Sequence, residues 1–390
     1  MYNSNQIKHL FFVSEIRSPD CIASSTHLMT ESILRGIKDN GIRVTLFAIC
    51  IKDEEITCVK NYFSNIVDDI IVLKNFYGIG LGKYNKFNRL LKLIKSTFFL
   101  SKYKKEILQS ITVKDKPDLI LSHTPSFEAV PYCIVLKKLF GDVPYYQYWS
   151  DPIALSGIIP EKLNYKRIPF YFAEKRALNI ADEIIYGTKT LFDFNSALFR
   201  KQAYKMRYVD IAYINKSKLD ASQLRSRFEF IYAGNYYSET RNILPLYEAF
   251  NELGNEFKLH IYGGSDFELK STDNITVNKR ISPKDLEKTE ASFVNNICLL
   301  NHSCIQIPGK LFYQTDTNQN TLVIADGIYA DKIIEYLNTY NRFVICNNSK
   351  EEIVKAIKSF TESDDYSCPA HIKMNYSPKK ISADIVGGSK

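Results

Sequence analysis

The chain has no CxxC pair, although it carries eight cysteines: Cys21, Cys50, Cys58, Cys133, Cys298, Cys304, Cys346 and Cys368. His302, lying between Cys298 and Cys304, has no partner motif. Several cysteines sit inside apolar, strand-like runs, where a free thiol behaves as a small hydrophobe. The pattern argues against zinc and against a disulfide framework, and points to a reducing cytosol. There is no GxGxxG, no Walker lysine, no convincing acidic metal motif, no internal repeat and no low-complexity tract. The apolar run in the opening MYNSNQIKHLFFVSE is far too short for a secretion signal or a membrane span, so a soluble or at most peripheral protein is expected.

What is present supports real cores. Hydrophobic residues make up 45% of 390, and that length suits two domains of roughly 190 residues each. The stretch Phe228–Phe250 reads FEFIYAGNYYSETRNILPLYEAF. An alternating apolar strand leads to Ala233-Gly234-Asn235, then a polar loop, then Thr240-Arg241-Asn242 opening an amphipathic helix. Helix-start N–H groups lack internal partners and a glycine admits close backbone approach, so this unit offers a seat for phosphate. Arg241 adds a fixed charge with a bidentate fork. An ordinary strand–helix turn with a solvated arginine is the alternative.

Charge is uneven. Lys83, Lys86, Arg89, Lys92, Lys95, Lys102, Lys104 and Lys105 follow one another without an acid. Without them the 51 basic residues fall to the number of the 43 acids, so the net charge of +8 resides in this window. Phe87, Leu90, Leu91, Leu93, Ile94, Phe98, Phe99 and Leu100 interleave with it, describing an interfacial helix for an anionic membrane surface. A helix packed on its own sheet with a solvated basic face is the other reading. Nucleic acid is disfavoured, since no binding module accompanies the charge.

Taken in order, strand-like segments at His9–Ser14, Arg43–Ile49, Asp69–Leu73, Asp118–Ser122, Pro144–Trp149, Glu183–Tyr186 and Arg207–Ala212 alternate with helices. Those helices span Thr26–Asp39, the basic window, Ser126–Phe140, Tyr165–Asn179 and a segment from Thr188. The polar, aperiodic stretch 213–227 is the expected linker between a first domain at 1–212 and a second at 228–376. The second repeats the alternation through Phe228–Ala233, Lys258–Tyr262, Ile275–Val277, Ser292–Leu300, Thr321–Ile324 and Phe343–Cys346. Ser377 and Pro378 cap a closing helix within 377–390. Strands separated by helices imply parallel crossovers and doubly wound α/β domains, with ligands at the carboxyl ends of the strands in a cleft between the domains.

The order FIYAGN…TRNILPLYEAFNEL…FKLHIYGG…RIS…LLNHSCIQIPGKLF resembles the donor half of GT-B glycosyltransferases. It is closest to the retaining family-four enzymes of bacterial surface-polysaccharide synthesis. DLILSHTPSFEAVPYCIVLKKLFGDVPYYQYWSDP and EKRALNIADEIIYGTKTL agree with the first half, so the resemblance spans about His9 to Ser359. It implies two Rossmann-like domains facing across a cleft and a nucleotide-sugar donor, without metal or other cofactor. It sets Gly234 beside the diphosphate and makes Arg241, with Asn242 next to it, the cationic contact that stabilises the leaving group. Gly263-Gly264 and Arg280-Ile281 match loops flanking base and diphosphate. Ile307-Pro308-Gly309-Lys310-Leu311-Phe312 is the strongest motif, with Lys310 either a second cation or a surface lysine. On the acceptor side, Asp151 is the candidate proton acceptor or sugar-orienting group, or a turn residue before Pro152. Glu15 and His123 are further acceptor-side candidates, or loop residues.

One departure stands out. The family's ribose-binding glutamate, three residues after the motif lysine, is Tyr313 here, followed by Gln314, and Ile305 replaces an earlier paired glutamate. Gln314 or Asp316 is then left to bond a ribose hydroxyl, or Tyr313 to stack on the base. The expectation is a glycosyltransferase acting on a glycan or lipid-linked acceptor, cytoplasmic or peripheral on the inner membrane face. A non-catalytic GT-B subunit that binds a partner enzyme or glycan is the second reading, and a sugar-nucleotide epimerase the third.

Overall fold

The computed structural model describes residues 7–16, 25–50, 55–76, 100–111, 116–123, 128–151, 168–214, 224–302, 305–360 and 369–387. The chain separates into two compact units, Met1–Ala212 together with Tyr376–Lys390, and Tyr213–Asn375.

The first unit is built on strands β1 (His9–Ile16), β2 (Arg43–Cys50), β3 (Asp69–Lys74), β4 (Leu119–His123), β5 (Tyr145–Trp149), β6 (Glu183–Tyr186) and β7 (Met206–Tyr208). They form one sheet in the order β3-β2-β1-β4-β5-β6-β7, and every pairing is parallel. All five residues of β4 and of β5 are buried, as expected of strands covered on both faces. Strand order reverses between β1 and β4, where His123 ends β4 and Glu15 is the last residue but one of β1.

The helix Pro378–Val386 belongs to this unit. Ser377 caps it by accepting from the Lys380 N–H, with Pro378 in the first turn. It lies against the helix Ser25–Asp39, where the Ser382 hydroxyl donates to the Ile33 carbonyl at 2.9 Å. Arg207 closes its far end by donating to the carbonyls of Asp384 and Ile385, both at 2.9 Å.

The second unit repeats the design with β8 (Glu229–Ala233), β9 (Lys258–Tyr262), β10 (Ile275–Asn278), β11 (Asn295–Leu299), β12 (Asn320–Ala325) and β13 (Val344–Asn347). The parallel order is β10-β9-β8-β11-β12-β13, reversing between β8 and β11. One face of this sheet packs Phe230, Leu259, Ile297, Leu322 and Ile324 against Leu246, Phe250, Ile353 and Ile357 of two flanking helices. Both units are therefore doubly wound and Rossmann-like.

Several boundaries differ from the sequence expectation. The strand expected at Ser292–Leu300 begins at Asn295, because the Ser292 N–H still bonds to Thr289 at the end of the helix Pro283–Ala291. The helix Glu55–Phe63 is new, burying Val59 and Phe63. Of the basic window, Lys83, Lys86, Arg89, Lys92 and Lys95 lie outside the described residues. Lys102, Lys104 and Lys105 sit exposed on a helix that starts only at Ser101 and runs to Ser110, with Tyr103 and Ile107 turned inward. Residues 215–223 of the expected linker are likewise outside the described residues. Among the described residues no helix is long and apolar enough to cross a membrane.

Candidate functional site

The carboxyl ends of β8, β9 and β11 converge on Gly234. Its N–H donates to the Tyr262 carbonyl (2.9 Å), while the Tyr236 N–H donates to Gly264 (3.1 Å) and the Gly264 N–H to the Asn235 side chain (3.0 Å). Gly263 cannot be anything larger: a Cβ there would lie 2.0 Å from the Gly234 carbonyl oxygen. At Gly234 itself a Cβ would meet the Tyr232 hydroxyl at 3.4 Å and Arg241 Nη1 at 3.8 Å, ordinary contacts that the fold tolerates.

Arg241 stands beside this turn, though not as the opening of a helix. Its N–H and carbonyl pair with Tyr237 (3.2 and 3.0 Å) in a tight hairpin, and the helix begins at Leu244, whose N–H the Asn242 side chain accepts at 3.1 Å. The guanidinium is held from two sides. Nε and Nη2 donate to Asn301 Oδ1 at 3.1 and 2.7 Å, and Nη1 donates to the Asn235 carbonyl at 3.1 Å. Among the described residues no carboxylate pairs with it. Its charge is thus positioned but uncompensated.

Lys310 behaves differently. Pro308 precedes the short helix Gly309–Tyr313, and Lys310 turns from it to pair with the Glu290 carboxylate and to donate to the Ala233 carbonyl at 3.0 Å. Its charge is spent inside the unit. Both cations lie near the Cys298 thiol, which burial pushes up and Arg241 and Lys310 draw back. Tyr313 and Gln314 are both buried, each 3% exposed. Arg280 is exposed in the loop after β10, at the same edge of the sheet.

Sequence reasoning passed over the next neighbours, Asn301 and His302 after β11 and Asp326 after β12. His302 Nδ1 lies 3.0 Å from Asp326 Oδ1, and Asn348 donates to Asp326 Oδ2 (3.0 Å) and to the Asn242 carbonyl (2.9 Å). Polar residues just past the ends of parallel strands are the signal that marks them.

In the first unit, Asp151 follows β5 and is half-buried. The Ser150 hydroxyl donates to it at 3.4 Å; His123 Nε2 lies 3.3 Å from that hydroxyl and Nδ1 lies 2.7 Å from Thr30 Oγ1. With the serine proton given to Asp151, His123 donates from Nε2 and accepts from Thr30 at Nδ1. Burial, with His27 nearby, pushes the His123 imidazole down to about 3, so it is neutral. His123 is 0% exposed and hydrogen-bonds the Ser150 hydroxyl that donates to Asp151. Glu15 is half-buried near the carboxyl end of β1. Among the described residues no group of three His, Cys, Asp or Glu is arranged to hold a metal ion.

No family model and no curated protein matches this chain. Solved structures do match, over nearly its whole length. Arabidopsis thaliana UGT89C1 complexed with UDP-L-rhamnose is 9% identical with a TM-score of 0.57, covering 98% of this chain and 98% of that one. The glycotransferase of kitacinnamycin is 12% identical with a TM-score of 0.52, covering 98% and 96%. The UDP-GlcNAc 2-epimerase from Methanocaldococcus jannaschii is 12% identical with a TM-score of 0.54, covering 97% and 98%. The chain has the GT-B fold.

In this GT-B chain, Gly234, Gly263, Arg241, Asn242 and Lys310 gather at one sheet edge, and Asp151, His123 and Glu15 at the corresponding edge of the other sheet. Matched structures whose names carry both a glycotransferase and an epimerase show that the fold alone does not choose the reaction.

Proposed function

We propose that this protein is a retaining, metal-independent glycosyltransferase that moves a sugar from a nucleotide-diphosphate donor to a glycan or lipid-linked acceptor, in bacterial surface-polysaccharide synthesis. The observation that carries the reading is Arg241, a cation fixed by Asn301 and Asn235 beside Gly234 and opposed by no carboxylate among the described residues. As the glycosidic bond breaks, negative charge grows on the leaving diphosphate. A preoriented guanidinium stabilises that charge more than it stabilises the ground state, which lowers the barrier. Arg280 supplies a second cation at the sheet edge, and Gly234 admits the phosphates to the backbone. Asp151, oriented by Ser150, accepts the acceptor hydroxyl's proton or orients the sugar. The protein works in the cytoplasm, with the window Lys83–Lys105 drawing it to the anionic inner face of the membrane, where lipid-linked acceptors are found.

A second reading has its own observation. Lys310 is committed to Glu290, and the position of the ribose-binding glutamate holds a buried tyrosine. Loss of two donor contacts fits a non-catalytic GT-B subunit that binds a partner enzyme or a glycan.

Incubation with labelled UDP- and GDP-sugars, with and without a polyprenyl-diphosphate-linked acceptor, separates the readings. Acceptor-dependent release of nucleoside diphosphate is the expected result. Sugar conversion without acceptor makes the protein an epimerase, and no turnover with any donor makes it a subunit.

A further inference from the structure

His302 and Asp326 form a fixed dyad on the exposed side of the second sheet's carboxyl edge. The His302 side chain is 53% exposed, yet its ring is held: Nδ1 lies 3.0 Å from Asp326 Oδ1. Asp326 is only 16% exposed, and its other oxygen accepts from Asn348 at 3.0 Å. The turn that brings the two together is demanding. Gly327 has φ of +81°, and a Cβ there would lie 1.6 Å from the His302 carbonyl oxygen. The His302 N–H donates to the Thr240 carbonyl at 2.9 Å, which ties this loop to the residue before Arg241. Consecutive residues therefore do two tasks, Asn301 clamping Arg241 and His302 presenting an oriented imidazole beside it.

A carboxylate at Nδ1 keeps the proton on that nitrogen and leaves the Nε2 lone pair outward. Among the described residues nothing bonds to Nε2. The pair Arg241 and His302 thus offers an anion-binding fork next to a hydrogen-bond acceptor. The geometry points to a ligand that carries a hydroxyl beside its phosphate groups, with His302 Nε2 accepting from that hydroxyl and Asp326 positioning the ring. Resting on the donor reading above, this assigns to the dyad a hydroxyl of the nucleotide-sugar, on either the ribose or the sugar.

The test is calorimetric titration of the full chain with UDP, GDP, their 2′,3′-dideoxy forms and UDP- and GDP-sugars. Wild type should favour each ribonucleotide over its dideoxy form if the ribose is read, or each nucleotide-sugar over its bare diphosphate if the sugar is read. Loss of one hydrogen bond should make His302→Ala roughly five- to tenfold weaker toward the favoured ligand only, erasing that preference. Asp326→Asn, which turns Nδ1 into an acceptor and moves the ring proton to Nε2, should erase the same preference with the fold intact by thermal unfolding. His302→Gln, which keeps an outward acceptor, should retain part of it. If His302→Ala keeps both preferences at wild-type strength, the dyad assignment is overturned while the donor reading survives. If wild type binds none of these nucleotides, the donor reading falls and this assignment with it.

Discussion

Replacing Lys310 with Met removes the cation that faces Glu290, and the consequence can be worked out. Glu290 is 7% exposed, so its carboxylate would stay in low-dielectric surroundings without its ammonium. Breaking a buried pair by deleting one partner costs about 3–5 kcal/mol. The Ala233 carbonyl loses its 3.0 Å donor in the same step. For a domain of this size each kcal/mol moves the unfolding midpoint by roughly 2–4 °C, so a fall on the order of 6–20 °C is expected. The double change Lys310→Met with Glu290→Leu should recover most of that loss, because an apolar replacement of a buried pair is often neutral or better. Thermal unfolding followed by circular dichroism reads the stability, and nucleotide titration of the folded variants reads the site. If Lys310→Met melts with wild type while nucleotide affinity collapses, the ammonium is a ligand contact and its pairing with Glu290 is incidental.

Asp151→Asn should depress sugar transfer while leaving nucleotide affinity nearly intact; collapse of donor binding in a folded variant would show the residue to be misassigned. His123 is held neutral by burial, with its pKa pushed down to about 3 from an unfolded value near 6.5. The unfolded chain therefore binds the extra proton first, and stability falls on acidification from pH 6.5, by about 1.4 kcal/mol per pH unit for one proton. His123→Gln should flatten the urea-derived stability profile between pH 6.5 and 5 by that slope, and identical slopes would refute a neutral buried ring. The protein should co-sediment with phosphatidylglycerol vesicles at low salt and release at roughly 0.5 M, since screening shortens to a few ångströms there. Replacing Lys86, Arg89, Lys92 and Lys95 with Gln should abolish that binding but spare transfer to a short soluble acceptor, and indifference of the native protein to vesicles would leave the basic window as a solvated face.

The sheets were legible because their strands are near-continuous apolar runs that a doubly wound fold buries on both faces, as in β1, β4 and β11. The closing cap was legible too, since Ser377 accepts from the N–H three residues on; Thr188, read only as the start of a helix, does the same. Glu55–Phe63 was not, because a nine-residue surface helix that buries only one edge leaves few apolar positions to count. Glycine and arginine could be placed at the carboxyl edge of the second sheet from strand–turn–helix order, and lysine from the motif that carries the resemblance. Their electrostatic fates could not. Whether a cation is spent or open depends on partners distant in sequence: Glu290 for Lys310 across 20 positions, Asn301 for Arg241 across 60. His302 looked inert for the same reason, as its carboxylate comes from the next strand.

Calorimetric titration of the wild-type chain and of Arg241→Ala with a panel of UDP-, GDP- and CMP-compounds tests the central claim most directly. Arg241 is fixed and uncompensated beside Gly234, so one nucleotide should bind the wild type with the diphosphate as the decisive group. Loss of one charged hydrogen-bonding partner is worth roughly 1.5–3 kcal/mol, so Arg241→Ala should bind that nucleotide about ten- to a hundredfold more weakly. Wild-type silence across the whole panel, or a nucleotide whose affinity is unchanged in Arg241→Ala, would contradict the account.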